Sequence, residues 1–130
     1  MGAWGLLFDE NDDAADWLDE FSDDPSWDAV DRAFGVIAVE GADLEAPECC
    51  EALAAAEIVA AGVGKPSNRL GPEIAAWAQA NAAGAASRQG PARHALGRIR
   101  GESELQELWQ ETDEFADWQA SVDETLTRLG

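Results

Sequence analysis

Between Phe115 and Leu129 the large apolar residues fall at Phe115, Trp118, Val122, Leu126 and Leu129. Those steps of three, four, four and three put all five on one stripe of an α-helix and scatter them over both faces of a strand. Similar stripes occur at Ala14, Trp17, Leu18 and Phe21, and at Trp27, Val30, Phe34 and Ile37. No stretch alternates apolar and polar residues with a period of two. The chain is therefore expected to be all-α: a compact single domain over residues 1–130, a bundle of six or seven short to medium helices with no sheet.

Punctuation residues divide the chain into those helices. Asn11 or Asp12 is expected to cap the first, which runs to about Phe21. Asp24 is expected to cap the second, with Pro25 at its first helical position. Gly35 within it costs about 1 kcal/mol relative to Ala and points to close helix packing or an early end. Pro47 opens a third, mostly alanine helix that is expected to run through the centre and to stop at Gly62 and Gly64. Pro72 opens a fourth, ended by Ala82-Ala83-Gly84, and Pro91 a fifth. Ser103 with Gln106 matches a capping box ahead of Leu105, Leu108 and Trp109. Thr112 or Asp113 is expected to cap the last helix. Residues 1–10 read as an irregular segment docked on the body.

Charge is the second strong feature. The net charge is −19, with 27 acids against eight Lys and Arg. Residues 1–60 carry −16, residues 61–100 carry +5 and residues 101–130 carry −8. Acidic ends around a mildly basic middle exclude nucleic acid as a partner for most of the surface. They suit a basic protein surface, or serve as adaptation to salt. With 46% hydrophobic residues and six Trp, the chain is too apolar for a disordered acidic tail. No apolar run approaches the length of a membrane span and the first residues lack a basic flank, so cytoplasmic residence without membrane association is expected. No oligomeric state follows from the sequence.

Tests for chemistry narrow the function further. Asp9, Asn11, Asp13 and Glu20 fall at positions one, three, five and twelve of a calcium loop. Its sixth position, where a sharp turn demands Gly, is Ala14, and its eighth, where an apolar residue belongs, is Asp16. The same residues make sense as a helix, so the loop is rejected. Cys49 and Cys50 are adjacent, which strains any disulfide between them, and His94 is the single His, so no Cys/His zinc set can be assembled. No nucleophile motif surrounds Ser87 or Ser103 near His94. Gly62-Val63-Gly64-Lys65 lacks the spacing and preceding strand of a phosphate loop. Five tryptophans sit on apolar stripes and read as core, whereas Trp4, between Gly2-Ala3 and Gly5, precedes any helix. No cofactor is expected.

Three stretches taken together resemble a known family. Met1-Gly2-Ala3-Trp4-Gly5 with Asn11-Asp12-Asp13-Ala14-Ala15-Asp16-Trp17 is similar to the opening of a bacterial family catalogued as domain of unknown function 4259. Leu44-Glu45-Ala46-Pro47 with the run Ala54 to Ala61 is similar to its central helix. Ser103-Glu104-Leu105-Gln106-Glu107-Leu108-Trp109 with Trp118 is similar to its C-terminal signature. The resemblance implies a small helical bacterial protein and brings no activity or catalytic residue with it.

The expectation is a non-enzymatic interaction module, of inhibitor, immunity or regulatory type, that binds a basic partner. Trp4, Asp12 and Trp17 are its candidate binding residues. The alternative from another class is a small divalent-metal hydrolase built on Asp9, Asn11, Asp12, Asp13, Asp16 and Glu20.

Overall fold

The computed structural model describes residues 12–39, 41 and 43–130, and among them there are eight α-helices and no strand. They are α1 (Asp12–Asp23), α2 (Trp27–Ala38), α3 (Ala46–Gly62), α4 (Pro72–Ala80), α5 (Ala82–Ser87), α6 (Gln89–Glu102), α7 (Glu104–Gln110) and α8 (Phe115–Leu129). The all-α expectation holds; the helix count among the described residues exceeds the expected six or seven.

The organising element is α3. Thirteen of its 17 residues are buried, and it borders each of the other seven helices. Alanine makes this possible, because a methyl side chain lets neighbouring backbones approach from every direction. Ile58 and Val59 supply the larger packing groups. Pro47 lies in the first turn, where its missing amide costs nothing. The amide of Ala46 donates to Glu104 Oε1 at 2.8 Å, and the Glu104 amide donates to Leu44 O at 2.9 Å, so α7 caps the start of α3. At the other end the amides of Gly64 and Lys65 donate to Ala61 O and Ala60 O, with Gly64 at φ +90°, a left-handed turn that glycine makes without penalty.

The expected stripes are the buried ones. Val30, Phe34 and Ile37 of α2 and Trp118, Val122 and Leu129 of α8 are buried, with Trp27, Phe115 and Leu126 packed against them. Several boundaries differ from expectation. Ser26, not Asp24, caps α2, its Oγ accepting from the Ala29 amide at 3.3 Å. The Asp24 amide donates to Phe21 O at 3.2 Å, so that residue is still closing the exit turn of α1. Asp12 is the first helical residue of α1; Asn11 lies outside the described residues. Gly35 is exposed inside α2 with open space where a Cβ would point, so close packing is not its reason.

The additional helix is α5. Ala82 to Gly84 were expected to end α4, but the Asn81 amide closes that helix on Trp77 O and Ala78 O, and the alanines start a new turn at once. Helix α6 then begins at Gln89 instead of Pro91. The capping box at Ser103 is half made: its Oγ accepts from the Gln106 amide at 3.0 Å and donates to Ile99 O at 2.6 Å, while the Gln106 side chain bonds Gln110 instead of returning to the cap. Thr112 accepts from the Glu114 amide one step before α8. No helix of the described residues is long and apolar enough to cross a membrane.

Candidate functional site

Helices α1, α2 and the first turns of α3 enclose an open groove of about 430 Å³. Its apolar wall comes from Trp17 and Phe21 of α1 and from Ala29, Ala33 and Val36 of α2. Trp17 stacks on Phe21 with centroids 5.5 Å apart, and Phe21 meets the edge of Trp77 on α4 at 5.3 Å. Trp77 in turn lies 4.9 Å from Trp27. The groove wall is thus the outer end of an aromatic row that reaches into the protein, which fixes the indole of Trp17 in place.

The rim is acidic. Glu20 and Asp24 border it from the α1 side, and Glu48 and Glu51 from α3. The Glu51 carboxyl is raised above the usual carboxylate range, first by partial burial and then by the charges of Asp13, Glu20 and Glu48. Like charges facing one another across two helices, beside an apolar wall that displaces water, leave a net negative rim of four carboxylates against one cation. Arg32, the one cation on the lining, forms no ion pair with these carboxylates among the described residues. Val36, in the wall, and Val39, one turn further along the chain, are among the few exposed large apolar residues.

The sequence candidates are only partly brought together here. Trp17 is half-buried in the groove wall, while Asp12 is exposed at the start of α1. Trp4, Asp9 and Asn11 lie outside the described residues. Asp13 and Glu20, from the rejected calcium spacing, sit on one continuous helix and both act on Glu51. Among the described residues no group of three His, Cys, Asp or Glu side chains is placed to hold a metal ion. Glu48 and Glu51 were not singled out in the sequence. Their signal was there: they share a face at a spacing of three, at the start of a helix whose only other charged residue is Glu57.

A second polar cluster lies on the far part of α3. Glu57 is 3% exposed, and its Oε2 accepts from Thr125 Oγ1 at 2.8 Å and from Arg128 Nη2 at 2.9 Å. Arg128 Nη1 lies 2.9 Å from Oε1, an ion-pair contact at a poor hydrogen-bond angle, and also donates to Lys65 O. Burial alone would lower the pKa of this guanidinium; its bonds to Glu57 and Glu124 more than reverse that and hold it above its ordinary value. Each of these groups is engaged within the protein, and the cluster ties α8 to α3.

Cys49 and Cys50 are both free and buried. Burial pushes the Cys49 thiol up to about 11, partly offset by Ser103, and pushes Cys50 up to about 12, with further contributions from Cys49, Asp13 and Glu51. Neither is poised as a nucleophile. His94 is exposed on α6.

No curated protein and no solved structure matches the chain. A family model described as Domain of unknown function (DUF4259) matches residues 2–121. That span runs from the first stretch of the resemblance into the first half of α8, and the chain belongs to this family.

Proposed function

We propose that the protein is a non-enzymatic binding module that takes up a basic segment of a partner protein. One observation carries this: the groove of α1, α2 and α3 combines an aromatic wall with four rim carboxylates that lack a matching set of cations. An apolar wall gives affinity through buried area, and an unneutralised rim gives steering and selects for positive charge. The wider surface acts in the same sense, with acidic residues dominating both ends of a chain of net charge −19. An inhibitory, immunity-type or regulatory role fits a module that works by covering a basic surface.

The metal-hydrolase alternative retains Asp12, Asp13, Asp16 and Glu20 within the described residues, and no observation favours it. Salt adaptation explains acids that are spread over a surface, but not their assembly beside Trp17 and Phe21.

The test is a titration of the isotope-labelled protein with lysine- and arginine-rich peptides, followed by amide NMR at low and high salt. Saturable shifts confined to α1, α2 and the start of α3, weakening with added salt, are the expected result. Absence of saturable binding at low salt, where the attraction is strongest, overturns the proposal.

A further inference from the structure

We infer that the groove is a receptor for one arginine side chain of an amphipathic partner segment, which stacks its guanidinium on Trp17 and forks it onto Glu20, Glu48 and Glu51, with an apolar neighbour resting on Val36. This rests on the binding-module reading and deepens it by naming the recognised group.

The protein itself contains the arrangement that motivates the inference. On α2, Trp27 and Asp31 stand four residues apart, and Arg88 from the α6 side completes them. Its guanidinium carbon lies 5.2 Å from the Trp27 ring, and its Nε and Nη2 reach the two Asp31 oxygens at 2.8 and 2.9 Å. On α1, Trp17 and Glu20 stand three residues apart, again an aromatic and an acid on neighbouring positions of one helix face. Glu48 and Glu51 add carboxylates from α3 across the groove. No cation of the described residues completes this second set: Arg32 is on the lining but pairs with none of them.

Chemistry favours arginine over lysine. The planar guanidinium stacks on an indole and presents paired donors to carboxylates on two helices at once, whereas an ammonium is a compact, strongly hydrated charge. A space of about 430 Å³ lies within the range of clefts that hold a small group, and takes that side chain with an apolar companion. Val36, exposed in the wall, requires the apolar companion, since a free cation alone leaves it wet.

The experiment uses the full chain and three short helical peptides that differ at one position: arginine, lysine or norleucine, each with two leucines one turn away and no acids. Calorimetry and amide NMR are expected to show the arginine peptide binding at the groove, the lysine peptide about tenfold weaker, and the norleucine peptide not saturating. Glu48→Gln with Glu51→Gln should weaken the arginine peptide about tenfold, while Glu107→Gln with Glu111→Gln on the α7 side should not. Thermal midpoints of each variant establish that it is folded. If the arginine and lysine peptides bind equally, or the Glu48/Glu51 variant binds like the parent, the arginine receptor is overturned while the basic-partner reading stands. If no basic peptide binds, both fall. Concentration-dependent self-association abolished by Glu51→Lys would assign the groove to a second copy of the chain and likewise overturn the inference.

Discussion

Arg128 on α8 and Glu57 on α3, 71 residues apart in sequence, meet in an ion pair whose carboxylate is almost entirely shielded from water. A buried charge is tolerated only while its partner is present. Arg128→Ala removes the partner and leaves Glu57 with the Thr125 hydroxyl alone, so a loss of about 3–5 kcal/mol is expected by denaturant titration. The double change Glu57→Leu with Arg128→Leu should recover most of that loss, because two apolar groups replace two desolvated charges. A double variant as unstable as the single one would show that the pair contributes more than mutual neutralisation.

Glycines divide into two groups by what surrounds them. A Cβ on Gly84 would lie 2.5 Å from Trp27 Cδ1 and 2.8 Å from Cε2, and that indole is already held by Trp77 and Arg88. Gly84→Ala is therefore expected to destabilise by about 1–3 kcal/mol through overpacking. Gly35→Ala meets nothing within 4 Å and should stabilise by about 0.5–1 kcal/mol through the unfolded chain and helix propensity. Thermal melts of the two variants should move in opposite directions.

That contrast also marks how far the sequence was legible. Periodicity found the buried stripes of α2 and α8, and alanine content between Pro47 and Gly62 found the central helix, because both are local properties of the chain. In sequence Gly84 reads as a terminator, since nothing near it announces an indole arriving from Trp27, 57 residues earlier. Asp24 and Ser26 are nearly equal as caps; which one is used depends on where α1 stops. The groove was half visible: Trp17 and the acids of α1 stood out, whereas Glu48 and Glu51 gain their meaning from a packing of α3 against α1 that local spacing does not encode.

Glu51 gives a pH dependence with a definite sign. Its folded carboxyl is raised, so the folded protein binds this proton more tightly than the unfolded chain does. Stability from this group is present below the ordinary carboxylate range and is lost as pH rises through the raised value. Glu51→Gln should thus stabilise the protein slightly at neutral pH, the gain being small because the side chain is only partly buried and water screens Asp13, Glu20 and Glu48. The gain should vanish under acid conditions where Glu51 is already protonated. Melting temperatures of parent and variant across that range provide the check.

Cys49 and Cys50 predict slow thiol chemistry. With folded values near 11 and 12, about one thiol in a thousand or fewer is ionised at about pH 8, and both are buried. Reaction with an aromatic disulfide reagent should proceed at the rate of protein opening and become fast for both thiols in denaturant. Rapid labelling of one native thiol would contradict this placement.

From Ala54 to Gly62, helix α3 has no outer side. Because the helix borders every other helix of the described residues and Ala54, Ala55 and Ala56 are fully buried, a methyl group added at any of them presses on packed neighbours that cannot yield into solvent. Latitude for substitution is consequently inverted in this protein. The acidic outer helices, which hold most of its chemical variety, can change residue by residue, while alanine, the side chain with the least chemistry to offer, is the one held fast by its surroundings.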